Sequence, residues 1–491
     1  MTWIVSAPIL VPLVAAALML VARGLVVQRA ISFLALGVSS AAGIALFVES
    51  WSGEQISVVR TAGWLGSFAI TLVADGLSSV MVMVALVVMT LVLVFAIGQR
   101  TADEHSPFYH PVYMVMAAGI SQAFLAGDLF NLFVAFEILL MASYVLLTLE
   151  GTNEQIKAGT TYVVLNILES LVLLLAVGLV FAATGTVNMA ELASRLAELP
   201  DGVRTGLNLL LLVAFGIKAA VFPLFFWLPD AYPTAPSSVS AVFAGLLTKV
   251  GVYCLIRTQT LLFPGEMQDL IIVVGALTMV IGVIGAISHR DMKRLLSFHI
   301  VSQIGYMVFG LGIGGNAAIA ATVFFLIHQI PVKTALFLVE GVIERDSGSS
   351  SFQSVSGLAR RSPLFAGLFL LAALSLAGLP PFSGFLGKFA IVQAGFADRH
   401  YLVVGVALAV SLFTLVSMTK IWVAAFWGEV APNPAAGGIL RNHRLMATGT
   451  YAMVAISLVI AFGAGPLYDF AVRAAAQLVD VSTYITAVRT S

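Results

Sequence analysis

Apolar runs separated by short polar connections repeat along the whole chain. Each run is long enough to cross roughly 30 Å of hydrocarbon as a helix, and a backbone that crosses a bilayer must satisfy its own hydrogen bonds. The pattern therefore predicts an all-α polytopic membrane protein with about 14 transmembrane helices. We place them at residues 3–22, 29–50, 73–97, 110–127, 129–150, 160–184, 206–228, 236–260, 268–287, 294–313, 316–343, 363–394, 401–427 and 446–470.

Helices 7 and 12 of this prediction are interrupted by proline and glycine. The first contains Phe215-Gly-Ile-Lys-Ala-Ala-Val-Phe-Pro223, and the second contains Gly378-Leu-Pro-Pro-Phe-Ser-Gly-Phe-Leu-Gly-Lys388. Proline removes a backbone donor and glycine adds conformational freedom, so both helices are expected to break. A matched pair of broken helices inside a membrane points to a transport path.

The spacing of the two breaks predicts an internal repeat. Helices 7 and 12 are five apart, which gives two five-helix repeats, and an odd number of helices makes the repeats inverted. The predicted parts are residues 1–109 with helices 1–3, residues 110–260 with the first repeat (helices 4–8), residues 261–427 with the second (helices 9–13), and residues 428–491 with helix 14 and a C-terminal tail.

Composition agrees with a membrane protein and excludes several functions. The chain is 60% hydrophobic and 10% charged with zero net charge, whereas a soluble domain carries about 25% charged residues. The single cysteine, Cys254, excludes an intrachain disulfide and a multi-cysteine cluster. No phosphate-binding glycine loop occurs, and nothing resembles a nicotinamide or flavin site, so we expect no ATP hydrolysis and no cofactor or metal.

Loop charges predict the orientation of the chain. With the N-terminus outside, about 12 of the 24 Lys and Arg residues, including Lys293, fall in cytoplasmic loops and about 7, including Arg257, fall outside. The excess on the cytoplasmic side predicts that both termini lie outside.

Ionisable residues inside the apolar runs are the strongest functional signal. Five lysines and Glu137 occupy such positions, and a charge at the bilayer centre costs about 2.5–3.5 kcal/mol, so these residues usually mark an ion path. An ion pair at about 4 Å and an effective dielectric near 20 is worth about 4 kcal/mol. Making or breaking a contact between Glu137 and Lys218 would therefore load or release one proton. The alternative is a protonated Glu137 that only forms hydrogen bonds. The lysines are Lys218, Lys249, Lys333, Lys388 and Lys420.

The remaining candidates have a functional and a structural interpretation each. Lys249, in the middle of helix 8, is either a relay or a lysine that extends to the membrane surface. His328, close to Lys333, is either a relay in mid-membrane or a buried, hydrogen-bonded histidine. Lys388 follows the second break as the counterpart of Lys218 or as the terminal proton site.

Three weaker candidates complete the set. Lys420 is either a relay or a residue that reaches the cytoplasmic edge. Asp75 and Glu169 have no obvious partner in the sequence, and an unpaired buried charge is costly. Each is expected to face either an aqueous pocket or a partner subunit.

Several motifs resemble the antiporter-like membrane subunits of respiratory complex I, membrane-bound hydrogenases and the multi-subunit Mrp cation/proton antiporters. The resemblance implies fourteen helices with two inverted repeats and a proton path through Glu137, Lys218, Lys249 and Lys388, with His328 in the relay region. Glu169 and Lys333 depart from the family pattern. The motifs are Gly127-Asp-Leu-Phe-Asn-Leu-Phe-Val, Gly216-Ile-Lys-Ala-Ala-Val-Phe-Pro223, Trp227-Leu-Pro-Asp-Ala-Tyr-Pro-Thr-Ala-Pro236, Asp291-Met-Lys-Arg-Leu-Leu-Ser-Phe-His-Ile-Val-Ser-Gln303 and Gly378 to Lys388.

The resemblance implies a proton-translocating subunit of a hetero-oligomeric Na⁺/H⁺ antiporter. Protons and Na⁺ would be its substrates, other membrane subunits its partners, and the bacterial cell (inner) membrane its location. Such a subunit is a secondary transporter and not an enzyme. The alternative is a proton-pumping subunit of a complex I-like quinone oxidoreductase or hydrogenase. A self-sufficient small-molecule transporter is a third class, but the embedded polar residues form a titratable row and not a substrate pocket.

Overall fold

The computed structural model describes residues 2–53, 55–60, 70–100, 102–429 and 443–490, and these residues are mostly helical. We number the α-helices in chain order. They are α1 Thr2–Val21, α2 Leu25–Gly53, α3 Gly76–Gln99, α4 Ala102–His105, α5 Tyr109–Leu125, α6 Leu129–Leu147, α7 Asn153–Thr184, α8 Met189–Arg195, α9 Asp201–Ala219, α10 Trp227–Ala231, α11 Ser237–Val242, α12 Thr248–Leu261, α13 Gln268–Ser288, α14 Met292–Ile313, α15 Gly315–Ser347, α16 Leu358–Arg361, α17 Pro363–Ala377, α18 Ser383–Ala397, α19 Tyr401–Ile421, α20 Arg444–Phe462, α21 Ala464–Val479 and α22 Val481–Thr490.

The helices confirm a polytopic membrane protein. Within the described residues, 12 helices are long and apolar enough to cross a membrane, and α17 is a shorter apolar helix. The predicted span 110–127 corresponds to α5, which has 17 residues. The predicted span 363–394 is divided between α17 and α18. The count of fourteen spans and the two repeats remain predictions, and residues 430–442, next to the last predicted boundary, lie outside the described residues.

Two short strands precede α3, mostly within the connection that the sequence analysis left between predicted helices 2 and 3. Strand β1 (Ser57–Arg60) pairs antiparallel with β2 (Thr71–Ala74). The predicted third helix began at residue 73, but α3 begins at Gly76 because Asp75 caps it. The Asp75 carboxylate accepts a hydrogen bond from the backbone N–H of Ser78, and the Ser78 hydroxyl accepts one from the Asp75 N–H, which stops the helix from extending further back.

Both predicted breaks are present. Helix α9 ends at Ala219, and Ala220 adopts a left-handed conformation with φ 58°, after which α10 begins at Trp227. Helix α17 ends at Ala377, Gly378 has φ 84°, and α18 begins at Ser383. A third irregularity was not predicted: a π-helical turn, Phe243–Leu247, joins α11 to α12. A π-turn inside a helix often occurs at a functional site.

A buried ion pair joins the N-terminal helices to the first predicted repeat. Arg257, on α12, donates to both carboxylate oxygens of Asp75 over 2.6 and 2.9 Å, and also to the Tyr253 hydroxyl over 3.1 Å. Both charged side chains are almost fully buried. The prediction that Arg257 lies in an outer loop is therefore wrong, and Asp75 has its partner within this chain.

We predict that Arg257→Met destabilises the fold, because it leaves the Asp75 carboxylate buried and unpaired. Removing one partner of such a pair costs about 3–5 kcal/mol. Thermal unfolding of the purified protein in detergent measures the effect. The control is Arg294→Met, since Arg294 pairs at 3.6 Å with an Asp230 side chain that is 70% exposed. That pair is worth at most about 1 kcal/mol. Equal Tm values for the two variants would contradict the prediction.

Candidate functional site

Lys218 lies in the last turn of α9, directly before the first break. It is fully buried, and its Nζ atom has no hydrogen-bond partner. Among the described residues, no carboxylate oxygen lies within 4.0 Å of this nitrogen. Its nearest aromatic contact is the ring of Phe136, whose centroid is 5.7 Å away. The Lys218 amine is therefore buried without a direct counter-ion.

Two glutamates act on Lys218 from a distance. Glu137 lies on α6 and is half-buried, whereas Glu169 lies on α7 and is fully buried. Both Glu169 oxygens and one Glu137 oxygen have no hydrogen-bond partner. Helix α7, which carries Glu169, packs directly against α9. The sequence analysis ranked Glu169 lower, because α7 faces α9 only in the folded chain. The predicted 4 Å contact between Glu137 and Lys218 is not made in this structure.

Lys249 lies at the start of α12, immediately after the π-helical turn. Its side chain is buried, and Nζ donates to the backbone oxygen of Ala244 over 2.6 Å and to the Thr248 hydroxyl over 3.3 Å. The side chain therefore stays in the interior. This position disagrees with the interpretation in which Lys249 extends to the membrane surface. Its Nζ atom donates a hydrogen bond to a backbone oxygen of the π-helical turn inside the protein.

Lys333 is the second lysine without a hydrogen-bond partner. It lies on α15, a helix of 33 residues that is long and apolar enough to cross a membrane, and it is completely buried. The hydroxyl of Thr334, the next residue, lies 3.5 Å from the backbone oxygen of Ala241, at the end of α11. The structure thus packs the segment that carries Lys333 against the segment that leads to Lys249, one from each predicted repeat.

His328 and Lys388 lie at the second break. His328 Nδ1 is 2.8 Å from the hydroxyl of Ser383, the first residue of α18, and its Nε2 has no partner. Lys388 Nζ donates to the oxygens of Leu376 and Ala377 over 3.0 and 3.1 Å. These oxygens belong to the last residues of α17, so Lys388 caps the helix that the break ends.

Comparison with known proteins places this arrangement in a family. Residues 126–414 match the model of the family described as NADH:quinone oxidoreductase/Mrp antiporter, TM. This range covers more than half of the chain and contains every candidate site residue except Asp75 and Lys420. The chain belongs to this family. The resemblance predicted from the sequence motifs is confirmed.

Relatives in the family match over the full length. The chain is 40% identical to the D subunit of the Na(+)/H(+) antiporter of Alkalihalophilus pseudofirmus, over 99% of both chains. It is 36% identical to the corresponding Na(+)/H(+) antiporter protein of Bacillus subtilis, over 98% of both. A chain of the Mrp complex from Dietzia sp. DQ12-45-1b superposes with a TM-score of 0.92 at 33% identity, over 100% of both chains. A chain of respiratory complex I from Thermus thermophilus, at 24% identity, shares the fold with a TM-score of 0.83 and covers 97% of this chain and 99% of its own.

In this family member, further polar residues that the sequence analysis did not assign lie between Lys333 and Lys388. His299 is buried and hydrogen-bonds the Ser417 hydroxyl. Gln329 donates to the Gln303 side chain over 3.3 Å. The spacing of these residues in the sequence could have revealed them, because residues four apart lie on the same face of a helix. Gln329 and Lys333 are four apart on α15, and His299 and Gln303 are four apart on α14.

Lys420 is separate from this row. It lies at the end of α19, half-buried, and Nζ donates over 2.7 Å to the oxygens of Ile287 and His289. These two oxygens belong to the C-terminal end of α13 and the residue that follows it. Of its two interpretations, the position favours an anchor at the membrane edge.

Proposed function

We propose that the chain is the proton-translocating subunit of a hetero-oligomeric Na⁺/H⁺ antiporter. On this proposal it is a secondary active transporter subunit and not an enzyme, it lies in the bacterial cell (inner) membrane with both termini outside, and its partners are other membrane subunits. The names of the full-length relatives support antiport over a redox complex. The observation that carries the proton role is Lys218, which is fully buried at a helix break and has no hydrogen-bond partner.

The proposed path runs along the buried polar residues. Lys218 receives a proton, and the charges of Glu137 and Glu169 control its uptake and release. Lys249 then links Lys218 to Lys333. From there the path continues past His328 to Lys388. Burial disfavours an ammonium and a nearby carboxylate favours it, so a small shift of either glutamate relative to Lys218 changes whether the lysine holds its proton.

The first experiment replaces Lys218 with arginine. Arginine keeps the positive charge but does not release its proton at physiological pH. We expect the Lys218→Arg complex to assemble but to lose antiport by at least about tenfold, which corresponds to about 1.4 kcal/mol in the barrier. Antiport is measured as Na⁺-dependent proton movement in everted vesicles. Wild-type turnover by the arginine variant would show that charge alone suffices.

A second experiment compares the two glutamates. Glu169→Gln and Glu137→Gln each remove a charge that acts on Lys218 while keeping the side-chain volume. Because Glu169 is fully buried and neither of its carboxylate oxygens has a hydrogen-bond partner, we expect its variant to be at least as impaired as that of Glu137. The matched control is Glu191→Gln, on the short helix α8 away from Lys218. Normal antiport by Glu169→Gln would show that Glu169 is only a buried packing residue.

A third experiment tests the subunit role. We expect the purified chain alone to give no Na⁺-dependent proton flux in liposomes, whereas the whole complex gives robust flux. The reason is that partner subunits are proposed to complete the cation route. Strong Na⁺-dependent flux from the single chain would favour a self-sufficient transporter.

A further inference from the structure

A polar pocket of about 590 Å³ lies on the face of the molecule that the loop charges predict to be cytoplasmic. It adjoins the beginning of α14 and the end of α15. Asp230 and Glu154, which line it, are exposed. Its other charged residues are Lys157, Asp291, Lys293, Arg294 and Glu344. Water and protons therefore reach the ends of these helices.

A hydrogen-bonded group leads inward from this pocket. Glu344 is partly exposed and pairs with Lys293 over 2.8 Å. The Ser237 hydroxyl lies 2.6 Å from the Glu344 carboxylate and 3.3 Å from the Glu340 carboxylate. Glu340 is completely buried, and its Oε1 atom has no hydrogen-bond partner. The sequence analysis placed Lys293 in a cytoplasmic loop and did not assign Glu340. Both are buried in the fold.

The charges of this group do not balance. Among the described residues, Lys293 is the cation that pairs directly with Glu344, and no lysine or arginine nitrogen lies within 4.0 Å of the Glu340 carboxylate. Asp291 also acts on both Lys293 and Glu340, but its carboxylate accepts hydrogen bonds from the Arg294 N–H and the Ser350 hydroxyl. A serine hydroxyl has one proton and satisfies one carboxylate at a time. When two carboxylates share a site, one of them favours the protonated form. The group therefore has room for one additional proton.

Glu340 also lies on the same face of α15 as Lys333. It lies seven residues after Lys333 on α15, which places both on one face of the helix, about two turns or roughly 10.5 Å apart. Side chains on a helix lean toward its N-terminus, so the Glu340 side chain leans toward Lys333. The Lys333 Nζ atom has no hydrogen-bond partner. Glu340 is thus the buried acid between the pocket and the lysine row.

We propose that Glu344, Ser237 and Glu340 form the entry by which protons pass from this pocket to Lys333 and Lys249. Glu344 takes a proton from water in the pocket. As its O–H bond breaks, an O–H bond forms at the Ser237 oxygen, and the original Ser237 proton forms an O–H bond with Glu340. Glu340 then gives this proton, across water, to the neutral amine of Lys333. The inference rests on the proposed proton function.

The test uses the whole complex in everted vesicles, in which this face is accessible. Glu340→Gln keeps the volume and the hydrogen bond with Ser237 but holds no exchangeable acidic proton, so we expect antiport to fall at least about tenfold. Glu154→Gln, an exposed carboxylate of the same pocket, is the matched control and should transport normally. Ser237→Ala should slow transport, and Ser237→Thr, which retains the hydroxyl, should restore it.

A second measurement does not depend on activity. Infrared spectroscopy of the purified complex near neutral pH should show a protonated carboxyl C=O band that Glu340→Gln removes and Glu154→Gln leaves. If Glu340→Gln transports normally and keeps this band while Lys218→Arg is inactive, the entry is wrong and the proton function stands. If both variants transport normally, the proposed function itself fails. If Glu340→Gln does not assemble, equal activity of Ser237→Ala and Ser237→Thr overturns the entry.

Discussion

An interruption in a membrane helix leaves backbone oxygens without their helical hydrogen-bond partners. The group that binds these oxygens determines whether the lysine next to the interruption has a hydrogen-bond partner of its own. An unsatisfied group in hydrocarbon costs several kcal/mol. Lys388 binds two oxygens at the end of α17, and Lys249 binds one in the π-turn. At the end of α9 the indole N–H of Trp227 binds the Ile217 oxygen over 3.0 Å instead. Lys218 is therefore not needed as a cap, and its ammonium remains free.

This difference divides the lysines into two kinds. Lys249 and Lys388 are each held by hydrogen bonds to backbone oxygens. Lys218 and Lys333 have no such partner, so their charge depends on groups that act from a distance: Glu137 and Glu169 for Lys218, and neighbouring cations for Lys333. Along the proposed path, lysines without a hydrogen-bond partner alternate with lysines bonded to backbone oxygens. This alternation suits the passage of a proton, because a strongly stabilised charge at every position would hold the proton in place.

The sequence predicted those features that local chemistry determines. Proline and glycine mark the breaks next to Lys218 and Lys388, and apolar run length marks the helices. It did not predict contacts between distant segments. Asp75 and Arg257 are 182 positions apart. The sequence analysis therefore treated Asp75 as unpaired and placed Arg257 in an outer loop. Glu169 depends on how α7 faces α9, and Lys293 and Glu340 depend on the packing of α14, α15 and α11. Strands β1 and β2 are too short to give a clear alternating pattern.

The geometry around Lys249 explains how the two unpartnered lysines are connected. Two glycines flank Lys249 in sequence, and each lies where a neighbouring chain segment approaches closely. A Cβ atom on Gly251 would be 2.5 Å from the backbone nitrogen of Ala219, the residue after Lys218, and one on Gly245 would be 2.2 Å from the hydroxyl of Thr334, the residue after Lys333. Only glycine allows both approaches, since real Cβ contacts are longer. The segment that carries Lys249 is thus packed directly against the neighbours of both Lys218 and Lys333. A side chain at either glycine would widen one of the two steps between these lysines in the proposed proton path.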